Sequence, residues 1–297
     1  MAEKTMISER AAPESITTFP AGDGYPLGFR RYPAVGQRRA VVACIHGIQS
    51  HAGWYKQSCQ RMSEAGLEVF FLDRRGSGIN TIDRGHCSSY MQLRDDLFRF
   101  IDFVRGECPG APVILNAISW GGKLAAAALK KRPDLVDGLA LLCPGWFAKV
   151  KPTLWERIVI SGSFVFWPRR PVRVPLSDPR LFTDNPVWQE FLRNDPLSLR
   201  KGSSRLLMTS VALTQVVSDA PEKIHVPSLL VLAGQDRIID NEKVRAFFER
   251  FASPDKTVLE YPTAHHTLEF EPDPEPFFRD LIAWIIRVAD EKSRQAQ

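Results

Sequence analysis

The chemistry in this chain starts from Ser119, in the run Ala117-Ile118-Ser119-Trp120-Gly121. The run closes a stretch with the character of a buried strand, PVILN at 112–116, and opens an alanine-rich helix expected over 120–131. A serine on so tight a strand-to-helix turn has its Oγ pushed clear of the backbone. It also lies where helix N-terminal N–H groups can meet a developing oxyanion. Small residues two before and two after the serine let neighbouring backbones pass closely, and Ala117 and Gly121 fill those places. The string alone would also suit a serine that caps a helix. Its placement between a strand and a helix favours the nucleophile.

A nucleophilic serine needs a base, and the base needs a carboxylate to orient it. Asp236, in LVLAGQDRIID, falls just past a buried apolar run, at the sheet edge where carboxylates point into a site. Asp240 competes, but it directly precedes a helix expected over 241–251 and has the character of an N-cap. The base is His265 or His266, in YPTAHHTLEFEPD, on a loop after the last strand. IHGIQSHAGWY at 45–55 follows the first long buried strand. A backbone N–H there, at Ile48, together with that of Trp120, is expected to form an oxyanion hole. His46 reads as a histidine that bonds the loop. Trp146 and His265 are candidates to touch substrate.

The elements that must position these residues alternate along the chain. Segments 15–20 and 26–32, separated by Ala21-Gly22-Asp23-Gly24, read as a hairpin. Apolar runs at 40–47, 68–73, 112–119, 137–145 and 228–236 read as strands buried on both faces, with a further strand at 257–262. Helical spacing marks 54–66, 90–106, 120–131, 241–251 and about 275 to 291. Strands alternating with helices predict an α/β fold, a mostly parallel central sheet flanked by helices. Residues 1–13 read as a polar, flexible leader, and 14–145 with 227–292 as one core domain. Residues 146–226 are far longer than an ordinary connection and are expected to form a cap over the site. Trp155, Trp167, Phe164 and Phe166 within the cap could line an acyl pocket. Arg169, Arg170 and Arg173 could face a phosphate or an anionic surface.

Of the 297 residues, 44% are hydrophobic and 25% charged, which is ordinary for a globular protein. The net charge of +5 falls short of a nucleic-acid footprint, and no helix-turn-helix or zinc-finger spacing occurs. Five cysteines (Cys44, Cys59, Cys87, Cys108, Cys143) without a C-x-x-C pair read as reduced thiols, hence a cytoplasmic location. The first residues lack the apolar core of a signal peptide, and no uninterrupted apolar stretch approaches ~18 residues.

Taken together, HGIQSHAGWY, FLDRRGSG, AISWGG, LAGQDRIID and AHHTLEFE resemble the monoacylglycerol lipase and lysophospholipase branch of the α/β-hydrolases, also called the serine aminopeptidase family. The resemblance covers roughly residues 24–290, including the N-D-P-L stretch at 194–197. The chain order Ser, Asp, His is the one this fold implies. The family's H-G-x-x-x-H-x-x-x-Y motif maps onto His46, Gly47, His51 and Tyr55. Its structural D-x-R-G-x-G loop maps onto Asp73, Arg75, Gly76 and Gly78. The usual G-H-S-M-G-G elbow is altered: Ala117, Ile118 and Trp120 stand where the family has Gly, His and Met. An H-x-L-x-x-E run fits His266, Leu268 and Glu271, so the resemblance makes His266 the base. It implies a carboxylic ester hydrolase acting through an acyl-enzyme on a lipid ester such as a monoacylglycerol or lysophospholipid, with no metal or cofactor. Transient contact of the cap with a membrane surface is a further expectation. An acyltransferase or thioesterase would use the same triad, and a catalytically silent binding protein would have lost one of its members.

Overall fold

Five segments of this chain are apolar enough to be buried on both faces, and they form the middle of one sheet. A computed structural model describes residues 14–295; the leader expected at 1–13 lies outside the described residues. In chain order the elements are strands β1 (Ser15–Pro20), β2 (Pro26–Tyr32) and β3 (Ala40–Ile45), helix α1 (Lys56–Glu64), and β4 (Leu67–Leu72). There follow α2 (Tyr90–Glu107), β5 (Val113–Ile118), α3 (Gly121–Lys131) and β6 (Gly138–Leu142). After the inserted segment come β9 (Ser228–Ala233), α7 (Asn241–Glu249), β10 (Lys256–Tyr261) and α8 (Glu275–Gln295). Within the insertion lie α4 (Leu154–Phe166), β7 (Pro171–Arg173), α5 (Pro186–Asn194), β8 (Lys201–Ser203) and α6 (Ser204–Val216).

The sheet runs β1-β2-β4-β3-β5-β6-β9-β10. β2 pairs antiparallel with both β1 and β4, and every other neighbour is parallel. The strands β3, β4, β5, β6 and β9 are buried throughout, whereas the edge strands β1 and β10 are largely accessible. The chain steps from β3 outward to β4, then returns past β3 to β5. Right-handed crossovers in opposite directions put α1 on one face and α2 on the other. Accordingly α8 packs with α1, while α2 packs with α3. The order reverses beside β3, and at such a switch point the C-terminal strand ends open a crevice. Ser119 and the loop 46–51 leave the sheet on either side of it.

The insertion between β6 and β9 forms three helices and the antiparallel ribbon β7–β8. Its α6 packs on α3 and α2, and α4 packs on α6. Among the described residues no helix is long and apolar enough to cross a membrane.

Two glycines illustrate opposite constraints. A methyl group at Gly121 would lie 2.9 Å from the carbonyl oxygens of both His46 and Ile45, so α3 meets β3 too closely for a side chain. Gly162, inside α4, faces open space. Gly121→Ala should therefore lower the thermal midpoint, while Gly162→Ala should stabilise by about 0.5–1 kcal/mol through helix propensity. Calorimetric melting of the two variants beside wild type checks both signs.

Candidate active site

Ser119 sits at φ +52, a left-handed conformation that L-residues avoid. Three hydrogen bonds hold it there. Its N–H donates to the Leu142 carbonyl at 2.8 Å, and its carbonyl accepts from Gly145 N–H at 2.8 Å and Gly122 N–H at 2.9 Å. The neighbours are small where the chain crowds: a Cβ on Gly47 would stand 3.2 Å from that of Ser119, and one on Gly122 would stand 2.7 Å from that of Pro144.

Ser119 Oγ lies 2.9 Å from His266 Nε2, and His266 Nδ1 lies 2.7 Å from Asp236 Oδ2. An ionised carboxylate only accepts, so Nδ1 carries the proton and Nε2 is left to receive the one on Ser119. Oδ1 of Asp236 accepts the N–H groups of Ile238 at 2.7 Å and Ile239 at 3.0 Å, which fixes the carboxylate. Burial pushes the Asp236 carboxyl up, but the facing His266 and these hydrogen bonds outweigh it and hold it below the usual carboxylate range. Asp240 is not part of this chain of bonds. It caps α7, accepting from Lys243 N–H at 3.2 Å and pairing with Lys243 Nζ at 2.6 Å.

Among the described residues, the N–H groups of Ile48 and Trp120 donate to no acceptor in the chain. Both belong to segments next to Ser119: Trp120 follows it in the chain, and Gly47, which precedes Ile48, abuts its side chain. The loop that carries Ile48 is tightly tied: Gly47 N–H donates to Ser50 Oγ at 3.0 Å, and Leu199 N–H of the insertion donates to the Gln49 carbonyl at 2.8 Å. His51 Nε2 meets Asp195 Oδ2 at 3.0 Å, and Trp54 Nε1 and Ser198 Oγ donate to the same oxygen at 2.8 and 2.6 Å. Burial opposes the Asp195 charge, yet these donors hold its carboxyl well below the ordinary value.

Other expected residues are placed elsewhere. Trp146 is buried. It packs 4.7 Å from the Phe247 ring, and its Nε1 donates to the Gly122 carbonyl at 3.2 Å, because the chain turns after Pro144 onto the α3–α7 face. His265 has both ring nitrogens engaged, with Glu271 Oε1 at 3.0 Å and Asp184 Oδ2 at 3.0 Å, so it ties the insertion to the histidine loop. Phe166 is 89% exposed and Trp155 72% exposed, with Trp167 also turned outward, so these rings do not line an internal acyl pocket. Cys143, at φ +44, was not singled out by its sequence context. It offers a ligand atom within 4.8 Å of others on Asp236 and His266, a set that could chelate a metal only by breaking the Asp236–His266 bond. Asp73 accepts from Ala52 N–H at 2.6 Å and Ile79 N–H at 3.0 Å. Arg75 pairs with Asp96 and Asp23, so this motif builds the loop that borders the site.

A family profile described as serine aminopeptidase, S33 matches residues 36–273. The human monoglyceride lipase is 26% identical over 268 residues, spanning 89% of this chain and 88% of that protein. Phospholipase YtpA of Bacillus subtilis is 30% identical over 249 residues, spanning 82% and 94%. Among solved structures, the monoacylglycerol lipase of Paleococcus ferrophilus superposes with a TM-score of 0.78 at 25% identity, covering 88% of this chain and 99% of that one. A soluble variant of the Saccharomyces cerevisiae monoglyceride lipase, in complex with a substrate analog, gives 0.82 at 22% identity, covering 96% and 97%; that likeness is one of fold.

Glu269, three residues past His266, is buried against the start of α1. Its carboxylate takes the Gln57 and Ser58 N–H groups at 2.7 and 3.2 Å and the Ser58 hydroxyl at 2.6 Å, capping α1. Burial nevertheless lifts its pKa to about 7. The folded state thus holds this proton more tightly than the unfolded chain, and its contribution to stability is lost as pH rises from about 4.5 toward 7. In Glu269→Gln the amide can accept from the N–H groups and donate to Ser58 Oγ. The variant should therefore gain on wild type by a few kcal/mol, on the order of the shift, between pH 5 and pH 8. Denaturant midpoints of both proteins at the two pH values check this; a difference independent of pH would contradict it.

Proposed function

The chain belongs to the family described as serine aminopeptidase, S33, and is a carboxylic ester hydrolase; we propose that it cleaves lipid esters, with Ser119 as nucleophile, His266 as base and Asp236 as orienting acid. The observation that carries this reading is the chain of bonds from Ser119 Oγ through His266 to Asp236, at 2.9 and 2.7 Å, with two unspent N–H groups in the segments next to Ser119. His266 Nε2 takes the Ser119 proton as Oγ attacks the ester carbonyl. The oxyanion rests on the N–H groups of Ile48 and Trp120. His266 then returns the proton to the departing alcohol, and the same sequence with water frees the acid and restores Ser119.

The lipid part of the reading draws on relatives named as monoglyceride lipases and a phospholipase, and on the outer face of α4. There Leu154, Trp155, Ile158, Val165, Phe166 and Trp167 are exposed in one segment, beside Arg157, Arg169 and Arg173. An apolar strip rimmed by cations fits an anionic lipid surface. We read 146–226 as a cap whose outer helix rests on that surface while its inner helix α6 stays on the core.

Fluorophosphonate should modify the wild type and leave Ser119→Ala untouched, and Asp236→Asn should lose roughly 10⁴-fold in kcat by presenting the wrong tautomer. Modification persisting in Ser119→Ala would overturn the assignment. A p-nitrophenyl ester series should favour medium and long chains; activity confined to acetate would count against a lipid substrate. Product analysis with an added acceptor alcohol separates hydrolysis from acyl transfer. Phe166→Ser with Trp167→Ser should reduce sedimentation with vesicles of phosphatidylglycerol while leaving hydrolysis of a short soluble ester unchanged.

A further inference from the structure

Arg74 follows β4 at the position that the D-x-R-G-x-G loop leaves unspecified, and its side chain makes unusual use of a charge. The residue is 2% exposed. Burial pulls its pKa down only to about 10, so it remains cationic at neutral pH. Among the described residues it has no carboxylate partner, and its Nε and Nη1 find no acceptor. Nη2 alone is spent, and on consecutive backbone carbonyls: Gly47 at 2.7 Å and Ile48 at 2.9 Å. The guanidinium lies 4.7 Å over the Trp120 ring, whose Nε1 is in turn bound to Ser210 Oγ at 2.8 Å. The backbone of Arg74 completes the arrangement. Its N–H donates to His46 Nε2 at 3.0 Å, which leaves the proton of the imidazole on Nδ1, directed at the Gly47 carbonyl at 2.8 Å.

Both donors to the Gly47 carbonyl are therefore governed by one residue. A trans peptide is planar, and its N–H points opposite to its C=O. Fixing the Gly47 carbonyl on the Arg74 side thus fixes the Ile48 N–H on the opposite side of a peptide whose Gly47 end abuts Ser119. Stacking on Trp120 steadies the residue that supplies the second N–H. A leftover positive charge behind these dipoles further favours the negative oxygen that forms between them. We propose that Arg74 is a positioning residue for the oxyanion hole, holding the Gly47–Ile48 peptide and Trp120 in the orientation that receives the tetrahedral intermediate. This rests on the reading of Ser119 as nucleophile given above.

The test compares wild type, Arg74→Met and Arg74→Lys by kcat and KM on a p-nitrophenyl ester. It adds the affinity for an alkyl trifluoromethyl ketone, whose adduct with serine carries the same oxyanion, and thermal melting. Arg74→Met should lose about tenfold to a hundredfold in kcat, less than full removal of a donor, with KM nearly unchanged. Affinity for the ketone should fall by the same factor. Arg74→Lys, whose compact ammonium has no planar guanidinium to lie over Trp120 while its nitrogen bonds the carbonyls, should lose a few-fold in kcat at unchanged KM. A folded Arg74→Met with wild-type kcat and ketone affinity, or with a change confined to KM, overturns the proposal. If Arg74→Met does not fold, Arg74→Lys decides: wild-type kcat and ketone affinity there overturn it equally. Failure of the wild type to react with fluorophosphonate would instead overturn the reading of Ser119, so the two failures are distinguishable.

Discussion

Ser119 must be kept in a backbone conformation that costs on the order of 1–3 kcal/mol, and the sheet is what keeps it there. β5 delivers the residue, the end of β6 supplies the carbonyl of Leu142, and the turn after β6 returns the N–H of Gly145. Cys143, the next residue of that turn, is itself at φ +44, so two adjacent strand ends share the strain. Because the strained segment opens α3, the helix must start in contact with β3, and only glycine fits at 121. Parallel strands buried on both faces are the scaffold that can over-determine such a turn, since neither neighbour can yield without disturbing the core.

The inserted segment grips the site unevenly. Toward the core it bonds each loop that borders Ser119: Leu199 and Asp195 hold the loop 46–51, Ser210 holds Trp120, and Asp184 holds His265. Thr214 also takes the nearly buried amine of Lys123 on α3 at 2.8 Å, where burial alone draws its pKa down to about 8. Outward, α4 rests mainly on α6 and turns its apolar side chains to solvent. Displacing α5 would disturb the bonds of Asp195 and Asp184 to His51 and His265, and displacing α6 would disturb that of Ser210 to Trp120, whereas α4 makes none of these bonds.

The fold was legible in the sequence because its evidence is long-range and repeated: apolar runs and helical spacings alternate over most of the chain, and only their ends moved. The members of the bonded chain were legible for a different reason. Ser119, Asp236 and His266 each sit just past a strand, where topology brings them to one edge, although the choice of His266 over His265 needed a family spacing. The chain gave no comparable cue inside the insertion. Its aromatics carry the same composition whether they line a pocket or face outward, and the packing of Trp146 against Gly122 and Phe247 follows from a turn whose direction depends on contacts with α3 and α7. Arg74 was invisible because the role proposed for it resides in which carbonyls it meets, and residue type alone does not encode that.

Those carbonyls illustrate why so many charges are buried beside this site. Arg75 between Asp96 and Asp23, Asp73 on two N–H groups, Asp195 on His51 and Trp54, and Arg74 on two carbonyls all surround loops with no regular structure of their own. Such groups add little net stability, since desolvation consumes much of what their bonds return. What they supply is direction. An apolar side chain in the same space would pack equally well against several loop conformations, whereas a carboxylate or guanidinium is satisfied by one. The proposed reaction needs two N–H groups and one hydroxyl pointed at a common place, and loops without ladder hydrogen bonds can hold that aim only through such side chains. Polar burial concentrated at the strand ends, beneath an otherwise apolar sheet, is the arrangement that requirement selects.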